Sequence, residues 1–139
     1  MTSTPAHRIP CRLFITHGFG EIRYSNSFSV DLTAPSPSLT EFFAGSNAYN
    51  PNLPHARCLF GATVLPSSTL VLYGGCLNGF RVGGPCPSYD SWRWRSGTWT
   101  RMSDYPTPRN YATLTQDPSS SVSTKALLYG GQETGLGVM

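Results

Sequence analysis

The sequence predicts an all-β fold of short antiparallel strands, and three observations carry the prediction: a composition dominated by turn formers, apolar runs of strand length, and a spacing that repeats. Fourteen Gly and twelve Pro occur in 139 residues, and only 12% of positions are charged, about half the usual share. A chain so poor in Glu and Lys and so rich in breakers is a poor source of helices. Its 39% hydrophobic and 12% aromatic content still suffices for a core, and the length holds one domain at most.

The elements follow from alternation and turn signals, taken in chain order. In the first unit, 13–17 and 26–30 read as strands, with a weaker one near 38–42. The second unit supplies four, at about 57–64, 69–73, 90–94 and 98–102, with Pro66-Ser67-Ser68 and Ser96-Gly97 as the tight turns. The third supplies two, at about 109–115 and 126–129, separated by Asp117-Pro118-Ser119-Ser120. Three apolar runs end in glycine: FITHGFG at 14–20, LVLYGGC at 70–76 and LLYGGQ at 127–132. Gly18, Gly74 and Gly130 lie 56 residues apart and again 56. This register pairs Arg57 with Arg109, Asn26 with Asp90 and Phe28 with Trp92, and it sets His17 at the place of Tyr73 and Tyr129.

An Arg in the first strand, an apolar run ending in Tyr-Gly-Gly, the strand Asp90-Ser91-Trp92 and then Trp99 form an ordered set, echoed in both neighbours. This set resembles the kelch repeat, over residues of about 11–132. The resemblance implies a β-propeller built of four-stranded blades, a fold used mainly as a protein-binding platform and sometimes as an enzyme. Nine strands amount to about two and a quarter four-stranded antiparallel blades, so the expectation is a kelch-type β-propeller fragment of a longer protein. Its parts are a tail at 1–10, a partial blade at 11–53, a complete blade at 54–105 and a partial blade at 106–139. Repeat units bury their faces on neighbours, so the expected partners are the remaining blades or a second copy, besides a protein ligand.

Candidate contact residues gather at one end of the complete blade. The segment 76–88 (CLNGFRVGGPCPS) is a long loop carrying Phe80 and Arg81, residue types favoured at interfaces, and the 103–108 connection adds Tyr105. The alternative is a passive insertion. Arg57 and Arg109 are the most position-specific charges. The resemblance places the first strand nearest the channel of the ring, where both arginines can meet acidic groups; the competing reading is a structural salt bridge or a carbonyl contact. Cys76 and Cys86 bracket the loop ten residues apart and form either a clamp or two unrelated thiols, while Cys11 and Cys58 read as small packed residues.

Other chemistries find little support. His7, His17 and His55 are scattered without metal-ligand spacing, the cysteines lack CxxC spacing, and the copper constellation of kelch-like oxidases has no counterpart, so no cofactor is expected. The seven carboxylates are dispersed, with no pair set for acid–base work, and no P-loop, GxSxG or HExxH occurs. Arg93, Arg95 and Arg101 alternate with tryptophans, which fits outward strand positions better than a nucleic-acid stripe. No window approaches the ~18 apolar residues of a membrane span. No secretory signal is visible either, which tilts an otherwise open compartment toward the cytoplasm. The sequence therefore leads to a non-catalytic protein-interaction module, with part of a carbohydrate-active or oxidising enzyme as the alternative.

Overall fold

The computed structural model describes residues 11–19, 23–45, 50–66, 68–77, 84–105, 107–119 and 124–133. Among them nine strands form three antiparallel sheets and no helix. The first sheet contains β1 (Arg12–Phe19), β2 (Arg23–Asp31) and β3 (Leu39–Phe43). The second contains β4 (Gly61–Leu65), β5 (Thr69–Tyr73), β6 (Ser91–Arg95) and β7 (Thr98–Arg101). The third contains β8 (Thr113–Gln116) and β9 (Ala126–Tyr129). Each sheet is a meander of neighbours in sequence, and none closes on itself. No helix of the described residues is long and apolar enough to cross a membrane.

The second sheet lies between the other two, and alternation explains how. Leu70, Leu72, Trp92, Trp94 and Trp99 share one face through the pairs Leu70↔Trp94, Leu72↔Trp92 and Trp94↔Trp99. That face meets Phe14, Phe42 and Phe43 of the first sheet, with Phe42 and Trp94 rings 4.4 Å apart. This aromatic stack is the core of the described structure. The opposite face carries Leu65, Val71 and Tyr73 and meets Leu114, Ala126 and Leu128 of the third sheet across a cavity of about 330 Å³.

The contacts between units repeat as the sequence does. Gly18 N–H donates to the Arg57 carbonyl at 3.1 Å, and Gly75 N–H donates to the Arg109 carbonyl at 2.9 Å. Within each unit an antiparallel bridge follows the arginine, Cys58↔Cys76 in one and Asn110↔Gln132 in the other.

Two expectations are corrected by this geometry. The first strands of the second and third units begin at Gly61 and Thr113, later than 57 and 109. Leu59 (φ 59°) and Tyr111 (φ 56°) interrupt them with left-handed backbone, which a regular ladder does not accommodate without a bulge. The first unit is also offset by one residue. Thr16 pairs with Ser27 as Tyr73 pairs with Ser91, so Thr16 holds the tyrosine position and His17 the position of Gly74. His17 adopts φ 53° there, against 65° at Gly74 and 67° at Gly130. The register resets through a bulge between Thr16 and Gly18, a device that re-aims one side chain.

Candidate functional site

The end of the second sheet where β5 leaves and β6 enters is organised around one ion pair. Arg57 is 0% exposed. Its Nη1 and Nη2 donate to the two carboxylate oxygens of Asp90 at 2.7 and 2.8 Å, a bidentate geometry that only Arg offers. Nη1 also donates to the Gly74 carbonyl at 3.0 Å, and Nε to the His55 carbonyl at 3.1 Å. Asp90 accepts further bonds from Ser88 Oγ at 2.6 Å and Trp92 Nε1 at 2.5 Å. Burial pushes the Asp90 carboxyl up, yet the bonds and charge of Arg57, aided by Ser88 and Trp92, outweigh it. They hold the acid well below the usual carboxylate range.

This geometry sorts the two arginines. Arg57 does not line a ligand-facing surface: it is wholly buried, and its donors are taken by Asp90 and two carbonyls. Arg109 holds the matching carbonyl, donating from Nη1 to Gly130 O at 2.7 Å, but it meets Glu133 at 3.3 Å in a half-open setting. Both arginines therefore grip the glycine turn of their own unit, while their main-chain carbonyls receive the preceding unit where it is described.

His17 occupies the seam between the first two sheets. Its ring lies 5.7 Å from Phe60 and 6.0 Å from Trp99, edge to face with each, and Nδ1 is hydrogen-bonded to Thr16 Oγ1 at 2.7 Å. Burial, with the positive charge of Arg57, lowers its pKa to about 3. The imidazole is thus neutral at physiological pH and serves as an aromatic packing group.

The outer part of the same end is more open. Cys76 and Cys86 form a disulfide, and Leu77 N–H donates to the Pro85 carbonyl at 3.0 Å just inside it. Phe80 and Arg81 lie in the stretch between these ties, outside the described residues. Beyond the clamp, Ser88 N–H donates to Gly75 O at 2.8 Å, tying the 84–90 segment to the glycine turn, and Tyr105 N–H donates to Tyr89 O at 3.1 Å, joining it to the 102–105 segment. Tyr89 and Tyr105 are both exposed. Tyr105 packs edge to face on Tyr73 at 5.7 Å, and Tyr73 in turn donates its hydroxyl proton to the Thr107 carbonyl. Tyr89 carries no comparably specific sequence signal, because its role rests on the backbone bond to Tyr105. A cavity of about 180 Å³ beside it, lined by His55, Leu77, Tyr89, Trp92 and Arg101 among others, falls below the ~300–1,000 Å³ typical of small-molecule sites.

The clamp should matter to stability. Closing a loop of sequence separation 10 is worth roughly 2–3 kcal/mol in the chain-entropy picture. Adding reductant is therefore expected to lower the thermal midpoint of the wild-type chain and to leave a Cys76→Ser, Cys86→Ser variant unmoved. Equal responses from the two proteins would show that the bond contributes nothing.

No family model and no curated protein matches the chain. Among solved structures it is similar to one titled "Structure of YjhT", with a TM-score of 0.62 and 16% identity. The match covers 89% of this chain and 36% of that one, so the chain spans little more than a third of its length. At that identity the likeness is one of fold.

Proposed function

We propose that this chain is a run of kelch-type propeller blades acting as a non-catalytic platform for a protein partner. The partner is held at the end bearing Tyr89 and Tyr105; Phe80 and Arg81, the other expected contacts, belong to the segment outside the described residues. The observation that carries the reading is the pair of exposed tyrosines mounted on a braced base: a backbone bond joins their segments, and the buried Arg57–Asp90 pair and the Cys76–Cys86 clamp stand behind them. Rigid aromatics with a polar tip are favoured at binding hot spots, because little side-chain entropy is lost on contact. The blade assignment is supported by the repeated arginine–glycine contacts between stacked meanders and by the fold likeness to a chain of greater length. Arg109 belongs to the frame rather than the contact, and the reading assigns no catalytic group, cofactor or nucleic acid.

The test is capture by the immobilised chain against a Tyr89→Ala, Tyr105→Ala variant, with partners identified by mass spectrometry. Loss of about 1–2 kcal/mol per hot-spot residue weakens binding roughly 5–30-fold for each. A partner retained by the wild type and lost by the variant, at an unchanged melting temperature, supports the assignment. The same partners captured equally by both proteins would sink it.

A further inference from the structure

The two outer faces of the stack are matching halves of a contact that the chain already makes internally. Pairing registers set Leu127 and Tyr129 of β9 at the places that Val71 and Tyr73 hold in β5, since Gly61↔Tyr73 corresponds to Thr113↔Tyr129. Val71 and Tyr73 are buried, on the face that the third sheet overlies and with Tyr105 and Thr107 packed on the tyrosine, whereas Tyr129 is 80% exposed and Leu127 is exposed beside it. At the opposite end, Leu13, Ile15 and Phe28 hold the places of Leu70, Leu72 and Trp92. Leu72 is 0% exposed against the first sheet, and Ile15 is 45% exposed with Leu13 alongside.

One bare face is therefore of the kind that covers, and the other of the kind that is covered. Within the chain, Phe14, the counterpart of Leu127, packs toward Trp94 on the face that buries Leu70 and Leu72. We infer that a second copy of this chain docks head to tail, its Leu13–Ile15–Phe28 face seated on the Leu127–Tyr129 face of the first. The two surfaces differ, so the contact is heterologous. It propagates into a ring or an open chain according to whether the rotation per copy closes. Exposed apolar faces mark interaction sites, and each of these two is matched in register to a face that the chain already packs internally, which is what a second copy supplies.

A pair of blocked variants tests both the surfaces and the polarity. Tyr129→Lys disables the tail and leaves the head, while Ile15→Lys does the reverse; both positions are exposed, and near-ultraviolet circular dichroism checks folding. Where a lysine variant fails that check, Tyr129→Ser and Ile15→Thr replace it. In sedimentation equilibrium the wild type is expected to grow in mass with concentration. Each variant alone should associate at least ~10-fold more weakly, and an equimolar mixture should form a one-to-one dimer. A wild type that stays monomeric at the highest workable concentration overturns the inference, as do variants that associate like the wild type. A mixture that stays monomeric while the wild type associates overturns the head-to-tail polarity. Neither face contains Tyr89 or Tyr105, so self-association and partner capture succeed or fail separately.

Discussion

Replacing Arg57 by alanine is expected to lower the unfolding free energy by about 3–5 kcal/mol, the cost of leaving one member of a buried ion pair without the other. Asp90 would keep Ser88 and Trp92 as donors but lose both guanidinium bonds and the full positive charge that they bring. The Gly74 and His55 carbonyls would lose their donors too. A small domain has only about 5–15 kcal/mol in hand, so the variant should sit near the edge of folding at room temperature. Urea titration of Arg57→Ala, Asp90→Asn and the double variant measures the coupling directly, because residues in one network are strongly non-additive. A loss under about 1 kcal/mol for Arg57→Ala, the range of exposed pairs, would mean that water reaches the pair. The exposed Arg101–Asp104 bridge is the internal comparison, and its removal should be nearly silent.

Acidification is expected to destabilise the protein well before its carboxylates titrate, and His17 is the reason. The unfolded chain takes up a proton on this imidazole near its ordinary value of 6.5, while the folded chain resists until about 3. Between those limits the unfolded state binds more protons, so stability falls as pH falls, by at most about 1.4 kcal/mol per pH unit for the one group. His55 is lowered as well, by partial burial and the charge of Arg57, and adds a shallower slope of the same sign. Asp90 acts next: its folded carboxyl is held low, so its contribution is complete above the ordinary value of 3.8 and drains away below it. His17→Asn keeps a residue that tolerates left-handed backbone and removes the titration. Denaturation midpoints measured from pH 7 to 4.5 should fall much less steeply for that variant than for the wild type. Parallel curves for the two proteins would show that His17 protonates freely in the fold.

The same two residues show how far a sequence can be read. Arg57 was conspicuous for its recurrence at Arg109, yet its role turns on Asp90, 33 positions away; spacing alone left a ligand-facing charge and a structural one both open. His17 was conspicuous for preceding a glycine, but its place was off by one. A bulge changes register without leaving a composition signal, and counting from glycine to glycine cannot detect it. Tyr105 was legible as an aromatic in a connection, whereas Tyr89 became its partner only through a backbone bond between two loops.

What the sequence determined by itself is local. Period-two alternation, turn formers and a recurring glycine dictate short antiparallel strands in groups of three, four and two, because pleat geometry and steric limits at each residue act over a few positions. What only the tertiary structure decided is pairwise and distant. The stack of three sheets, the closure of Arg57 on Asp90, the left-handed breaks at Leu59 and Tyr111, and the contrast between buried Tyr73 and bare Tyr129 all depend on which face meets which neighbour. Residues in equivalent local settings acquire opposite environments there. Burial and charge pairing are properties of the assembled faces, and no window along the chain contains both sides of them.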